Sequence, residues 1–140
     1  MFSHWHLPEG GDVATLRAQA ATSEHYLLSA NGIAETGEII NIDGAGNRVA
    51  SAIYGHKKVW IVVGKNKLAP TYDEALWRAR NIAAPKNAQR LGTRTPCAAD
   101  GKCHDCKSPA RICRALVVHM GAPKGFEKCE IVLVGESLGY

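Results

Sequence analysis

Apolar positions along this chain switch between helical spacing and short unbroken runs, and the alternation predicts a layered α/β fold. Asp12-Val-Ala-Thr-Leu-Arg-Ala-Gln-Ala-Ala is rich in helix formers, with Asp12 placed as a cap and Val13, Leu16 and Ala20 on one face. Glu24 to Ala30 predicts a strand, Glu35-Thr36-Gly37 a turn, and Glu38 to Asp43 a second strand. Apolar Val49, Ala50, Ile53 and Tyr54 then predict a helix over Asn47 to Tyr54. Lys57-Lys-Val-Trp-Ile-Val-Val-Gly is the strongest strand, and its unbroken run predicts a central strand covered on both faces. Thr71 and Glu74, in capping-box spacing, open a helix with Ala75, Leu76 and Ala79 inside, expected to end before Pro85. Trp60, Trp77 and Cys129 read as core; Trp5, between His4 and His6, reads as part of a loose end.

Beyond Pro85 periodicity fades into an irregular, cysteine-rich excursion over about residues 92–114. Two β-branched runs follow, Ala115 to Met120 and Glu130 to Glu136, and predict two more strands. The expected architecture is an open, mostly parallel sheet with flanking helices plus that excursion. At 140 residues and 46% hydrophobic composition, residues 1–140 suit one domain. No run approaches the roughly 18 apolar residues of a membrane span, and the N-terminus lacks a secretory layout, so membrane insertion is not expected and the cytoplasm is the default compartment.

Charge refines this picture locally. The net charge is +4, yet residues 85–115 hold seven basic groups against two acidic ones, an excess of +5, leaving −1 elsewhere. No aromatic residue interleaves with that block to stack on bases, so a nucleic-acid partner is not expected. Five cysteines, an odd number, argue against a fully paired disulfide framework.

Two stretches carry candidate chemistry. From Ser29 to Asn47 the chain sets Asn31, Glu35, Thr36, Asn41, Asp43 and Asn47 among Gly32, Gly37, Gly44 and Gly46, followed by Arg48. Glycine lets a ligand approach main-chain N–H groups, and a helix starting after a glycine-rich turn presents a positive end to an anion. One reading is a small-anion pocket with Asn31, Gly44, Gly46, Asn47 and Arg48 binding and with Asp43 or Glu35 as acid or base. The other is a hairpin and a capped helix, since turns need these same residues.

The second stretch is Cys97, Cys103, Cys106 and Cys113, spaced C-x5-C-x2-C-x6-C. Four thiolates this close can hold zinc or an iron–sulfur cluster, and Lys102, Lys107, Arg111 and Arg114 would offset their charge. The spacing matches neither a zinc ribbon nor a bacterial ferredoxin, so thiols that staple the excursion, or that sense redox state, remain alternatives. His104 reads as exposed rather than as a ligand.

The run Ser29 to Ala50, the strand with Lys57-Lys-Val, Ala83-Ala-Pro-Lys-Asn-Ala, Thr95-Pro-Cys and Leu133-Val-Gly-Glu-Ser-Leu-Gly-Tyr resemble the lactate-utilisation (LUD) domain family over residues 22–140. The resemblance implies a sugar-isomerase and CoA-transferase-like fold. It also implies an enzyme or oxidoreductase-associated subunit handling a small hydroxy or keto acid alongside iron–sulfur partner proteins. Family members usually carry a helix, a strand and a glycine-rich turn before the helix that begins here near Asp12, so the chain reads as a truncated member, a fragment, or one that completes its sheet with a partner, and a protein partner or homo-oligomer is expected. A fainter similarity ties Ala30 to Asn41 to the sugar-phosphate isomerase and initiation-factor-like branch. That branch has an acidic residue where Asn31 stands, and an amide is no general base.

Overall fold

The computed structural model describes residues 9–140. His4, Trp5 and His6 lie outside them. Helix α1 (Val13–Ala21) begins at its expected cap, the Asp12 carboxylate accepting the Thr15 N–H at 2.8 Å. Its Val13, Leu16 and Ala20 are the better-covered positions, although no residue of this helix is buried.

Strands β1 (His25–Leu28), β4 (Lys58–Gly64) and β7 (Lys128–Val134) form a parallel three-stranded sheet in the order β1-β4-β7. Its register places Leu28 beside Ile61 and Ile61 beside Ile131. A second, four-stranded sheet joins β2 (Gly32–Ala34), β3 (Ile39–Asp43), β5 (Leu68–Ala69) and β6 (Ala115–His119) in the order β5-β2-β3-β6. It is parallel between β2 and β5 and antiparallel at its other two pairings. The residue pattern gave no sign that the chain divides its strands between two sheets.

The sheets stack. Leu28, Val59, Ile61 and Val63 of the parallel sheet pack with Ile33 and Ile39 of the mixed one. On the other face of the mixed sheet, Ala34, Ile40 and Ala69 pack against Ala75 and Ala79 of the helical layer. Ile40, Val59 and Val63 are fully buried, which stabilises the fold by roughly 1.5–3 kcal/mol per side chain.

That helical layer departs from expectation at Pro85. Helix α3 (Tyr72–Arg78) has the predicted cap, with Thr71 Oγ1 accepting the Glu74 N–H and meeting Glu74 Oε2. It does not stop before Pro85: a π-turn over Ala79–Ala83 carries it into α4 (Ala84–Arg90). The wide turn shifts the hydrogen-bond register, and Pro85 falls in the first turn of α4, where no N–H is required.

Other expectations are corrected by this layering. Strand β4 is central, but it is not covered on both faces: Val59, Ile61 and Val63 are buried while Trp60 and Val62, facing away from the mixed sheet, are half-exposed. Leu27, 64% exposed, lies beside Trp60 on that face, and the Lys128 ammonium sits 4.7 Å from the Trp60 ring. The described helices α3 and α4 lie on the far side of the mixed sheet, so they leave this face open. Trp77 is likewise not core, being 59% exposed on the outer side of α3. Among the described residues no helix is long and apolar enough to cross a membrane.

Candidate functional site

The connection from β3 to α2 (Asn47–Ser51) places the glycine-rich loop at the end of the mixed sheet. The expected helix through Tyr54 is five residues long; Val49 is buried, Ile53 and Tyr54 are exposed. Its N-terminus is also occupied. Asp43 Oδ2 accepts the N–H groups of Gly46 and Arg48 at 3.1 and 3.2 Å, so the anion expected at this helix end is the protein's own carboxylate.

Arg48 is held from several sides. Its guanidinium donates to the Ile42 carbonyl at 2.8 Å and to Asn41 Oδ1 at 3.4 Å, and lies 3.5 Å from Asp43 Oδ1. Asn41 is fully buried, and its Nδ2 has no partner among the described residues. Asn31 Oδ1 accepts the Ile42 N–H at 2.7 Å, tying the end of β1 to β3. Glu35 stands apart from all of these. It lies beyond the Ile33–Ile39 pair in the exposed hairpin turn, at the opposite end of β3 from Asp43, so the two acids do not form a pair.

The glycines have a structural task. A Cβ on Gly44 would sit 2.8 Å from the Ile112 carbonyl oxygen, and Gly46 holds φ at +88°, where side chains are strained. The close approach at Gly44 is to the cysteine segment itself. The Arg114 N–H also donates to the Asp43 carbonyl at 2.9 Å, and Asp43 pairs with Ala115 in the β3–β6 ladder. The two stretches read separately from sequence are therefore stitched together.

In that segment, α5 (Pro96–Asp100) carries Cys97, and residues 101–114 form neither helix nor strand. Asp105 pairs with Arg80 at 2.6 Å, and His104, exposed as expected, bonds Asp100 at 2.8 Å. The hydrogen bond from the Lys102 N–H, then that of His104, holds the Asp100 carboxyl below its usual range. Cys97, Cys103, Cys106 and Cys113 are free thiols, and all four line one cavity of about 280 Å³. Cys97 Sγ meets Thr95 Oγ1 at 3.3 Å, and Cys113 Sγ accepts from Arg111 at 3.4 Å, which raises the arginine's already high pKa. As placed, no three His, Cys, Asp or Glu side chains among the described residues stand close enough to hold a metal ion. The donor chemistry suits a soft metal, but the sulfurs share a cavity without meeting at a point.

A larger cavity of about 680 Å³ adjoins the first, and the two share Ile42, Ala84, Arg111 and Arg114 as walls. It takes in Asn31, Asp43, Gly44, Asn47 and Arg48, and it adds Arg17 and Arg90. Five arginines thus border a space with one lining side-chain carboxylate, Asp43, and with Tyr140 at the end of the chain on its lining.

A LUD domain model matches residues 3–134. The chain belongs to the LUD domain family. The match spans both stretches, so this LUD domain carries the loop and the cysteine segment within the family's own boundaries. No curated protein and no solved structure matches the chain. Reading residue types alone missed Arg17 and Arg90, which approach the loop from α1 and the end of α4. It also missed Lys67 and Arg78, which are buried although charged. The only sequence signal for Lys67 is its place three residues after Gly64, at the end of the strongest strand.

Proposed function

We propose that this LUD domain binds a small hydroxy or keto acid in the 680 Å³ cavity, as part of a lactate-utilisation system. The observation that supports it is the set of five arginines lining a space with a single side-chain carboxylate. Such a field concentrates a small carboxylate, and a guanidinium can hold it through two parallel hydrogen bonds. Arg48 acts from the wall: its bonds to Asn41 and the Ile42 carbonyl fix the loop, and Arg17 and Arg90 supply charge from the rim.

Arg17→Gln with Arg90→Gln is the fitting test, because both sites lie outside the loop. Calorimetric titration of the full chain with pyruvate and lactate is expected to give saturable binding, weakened about tenfold in the double variant and by added salt. Equal affinity in both proteins, or no binding to the unmodified chain, overturns the assignment.

A second reading places an iron–sulfur cluster or zinc on Cys97, Cys103, Cys106 and Cys113, with the α/β body as scaffold for an electron-transfer or interaction module. Their shared cavity favours it. Anaerobic purification with metal analysis and a visible spectrum tests it: bound iron or zinc supports it, and metal-free protein overturns it.

A further inference from the structure

The carboxyl ends of the three parallel strands carry a cluster that neither cavity contains. After β4 a single 3-10 turn, Lys65–Lys67, brings Lys67 to the end of the sheet, where it is 6% exposed. Its ammonium donates to Ser29 Oγ, just past β1, at 3.1 Å. Arg78, 8% exposed, reaches the same region and donates to the carbonyls of Asn66 at 2.8 Å and Asn31 at 2.5 Å. Burial, then repulsion from Arg78 and Arg48, lowers the Lys67 pKa. Among the described residues neither Lys67 nor Arg78 has a carboxylate partner.

Buried charges are ordinarily paired, because an ion removed from water without a counter-ion is costly. Arg78 is solvated by two carbonyls, whereas Lys67 has three donors and one hydroxyl partner. Over it runs the segment after β7. Asn66 clamps that segment, its Oδ1 accepting the Leu138 N–H and its Nδ2 donating to the Gly139 carbonyl, each at 3.0 Å. Gly139 passes so close that a Cβ there would lie 3.3 Å from Lys67 Nζ. In open α/β sheets this end of the strands is where ligands bind.

We propose that Lys67, with Ser29 beside it and Arg78 close by, seats a compact oxoanion, the carboxylate or phosphate group of a small ligand, under the strap formed by residues 136–140. Entry requires the strap to lift, which breaks the two Asn66 bonds. The site adjoins the larger cavity, whose lining takes in Tyr140 of the strap but excludes Lys67, Ser29 and Arg78, so it does not depend on the acid assigned there.

Thermal melts of the full chain in inorganic phosphate, acetate and chloride at matched ionic strength test it against Lys67→Met and the Arg17→Gln/Arg90→Gln variant. Phosphate or acetate is expected to raise the Tm saturably in the unmodified chain and in the cavity variant, and whichever does so identifies the group bound. Lys67→Met is expected to melt no lower than the unmodified chain without anion, and to need at least about tenfold more anion for the same shift. An unchanged response in Lys67→Met, or none beyond ionic strength in the unmodified chain, overturns the proposal. Should Lys67→Met not fold, an NMR titration of the unmodified chain decides it. Saturable shifts at the Ser29 and Lys67 amides support the site, and shifts confined to other residues overturn it.

Discussion

The loop over residues 43–48 and the segment over residues 97–113 touch, yet they hold their polar groups in opposite states. In the loop, Asp43 caps α2 and meets Arg48, while Arg48 braces Asn41 and the Ile42 carbonyl. In the segment, the four thiols line a cavity with Thr95 and Arg111 as partners, and Arg111 Nε is buried without one. The polar, glycine-rich composition of the loop left two readings open, a small-anion pocket or a hairpin with a capped helix. Its geometry marks it as the brace, and the reactive groups that remain available lie across the shared wall.

That contrast predicts unequal costs. Asp43→Ala removes an acceptor of two N–H groups and an ion-pair partner, and is expected to destabilise by roughly 3 kcal/mol, read by denaturant melts. An unchanged midpoint would mean that the capping role is empty and return Asp43 to the list of free acids. Gly44→Ala comes next, at roughly 2 kcal/mol, since its Cβ would press on the Ile112 backbone. Its melt should also loosen the cysteine segment, seen as faster amide exchange at Arg114, whose N–H bonds the Asp43 carbonyl. Replacing Cys97, Cys103, Cys106 and Cys113 together by Ser should cost less than about 1 kcal/mol under reducing conditions. A larger loss would make the thiols structural.

The smallest effect belongs to Lys67, outside both regions. Its folded pKa lies below its ordinary 10.5, so between the two values the unfolded chain holds a proton that the folded chain has released. Stability without anion should therefore rise with pH through that window, with Arg78 and Arg48 the charged groups acting on Lys67. Melts across the alkaline range should show this slope in the unmodified chain and not in Lys67→Met.

Local signals were readable where local physics decides. Asp12 and the Thr71–Glu74 pair cap as their spacing said, and β4 is the central strand its apolar run required. Signals failed where distant segments decide. Pro85 reads as a helix stop until the π-turn before it is known, and nothing near Trp60 reports that α3 and α4 pack elsewhere. Gly44 lines the larger cavity, but its close approach to Ile112 could not be read, because that neighbour is remote in sequence. Lys67 and Arg78 look like solvent-facing charges, since Lys67 is covered by a strap, and Arg78 held by the Asn31 and Asn66 carbonyls, only once the sheet has folded.

The two stretches form one place, with Arg111 on the wall shared by the thiols' cavity and the larger one proposed to bind a small acid. Alkylation rates measured cysteine by cysteine under anaerobic conditions, with and without saturating pyruvate, test this directly. Pyruvate is predicted to slow modification of Cys106 and Cys113, nearest Arg111, and to leave Cys129 in β7 unchanged. Equal rates at all five cysteines with and without the acid would contradict it.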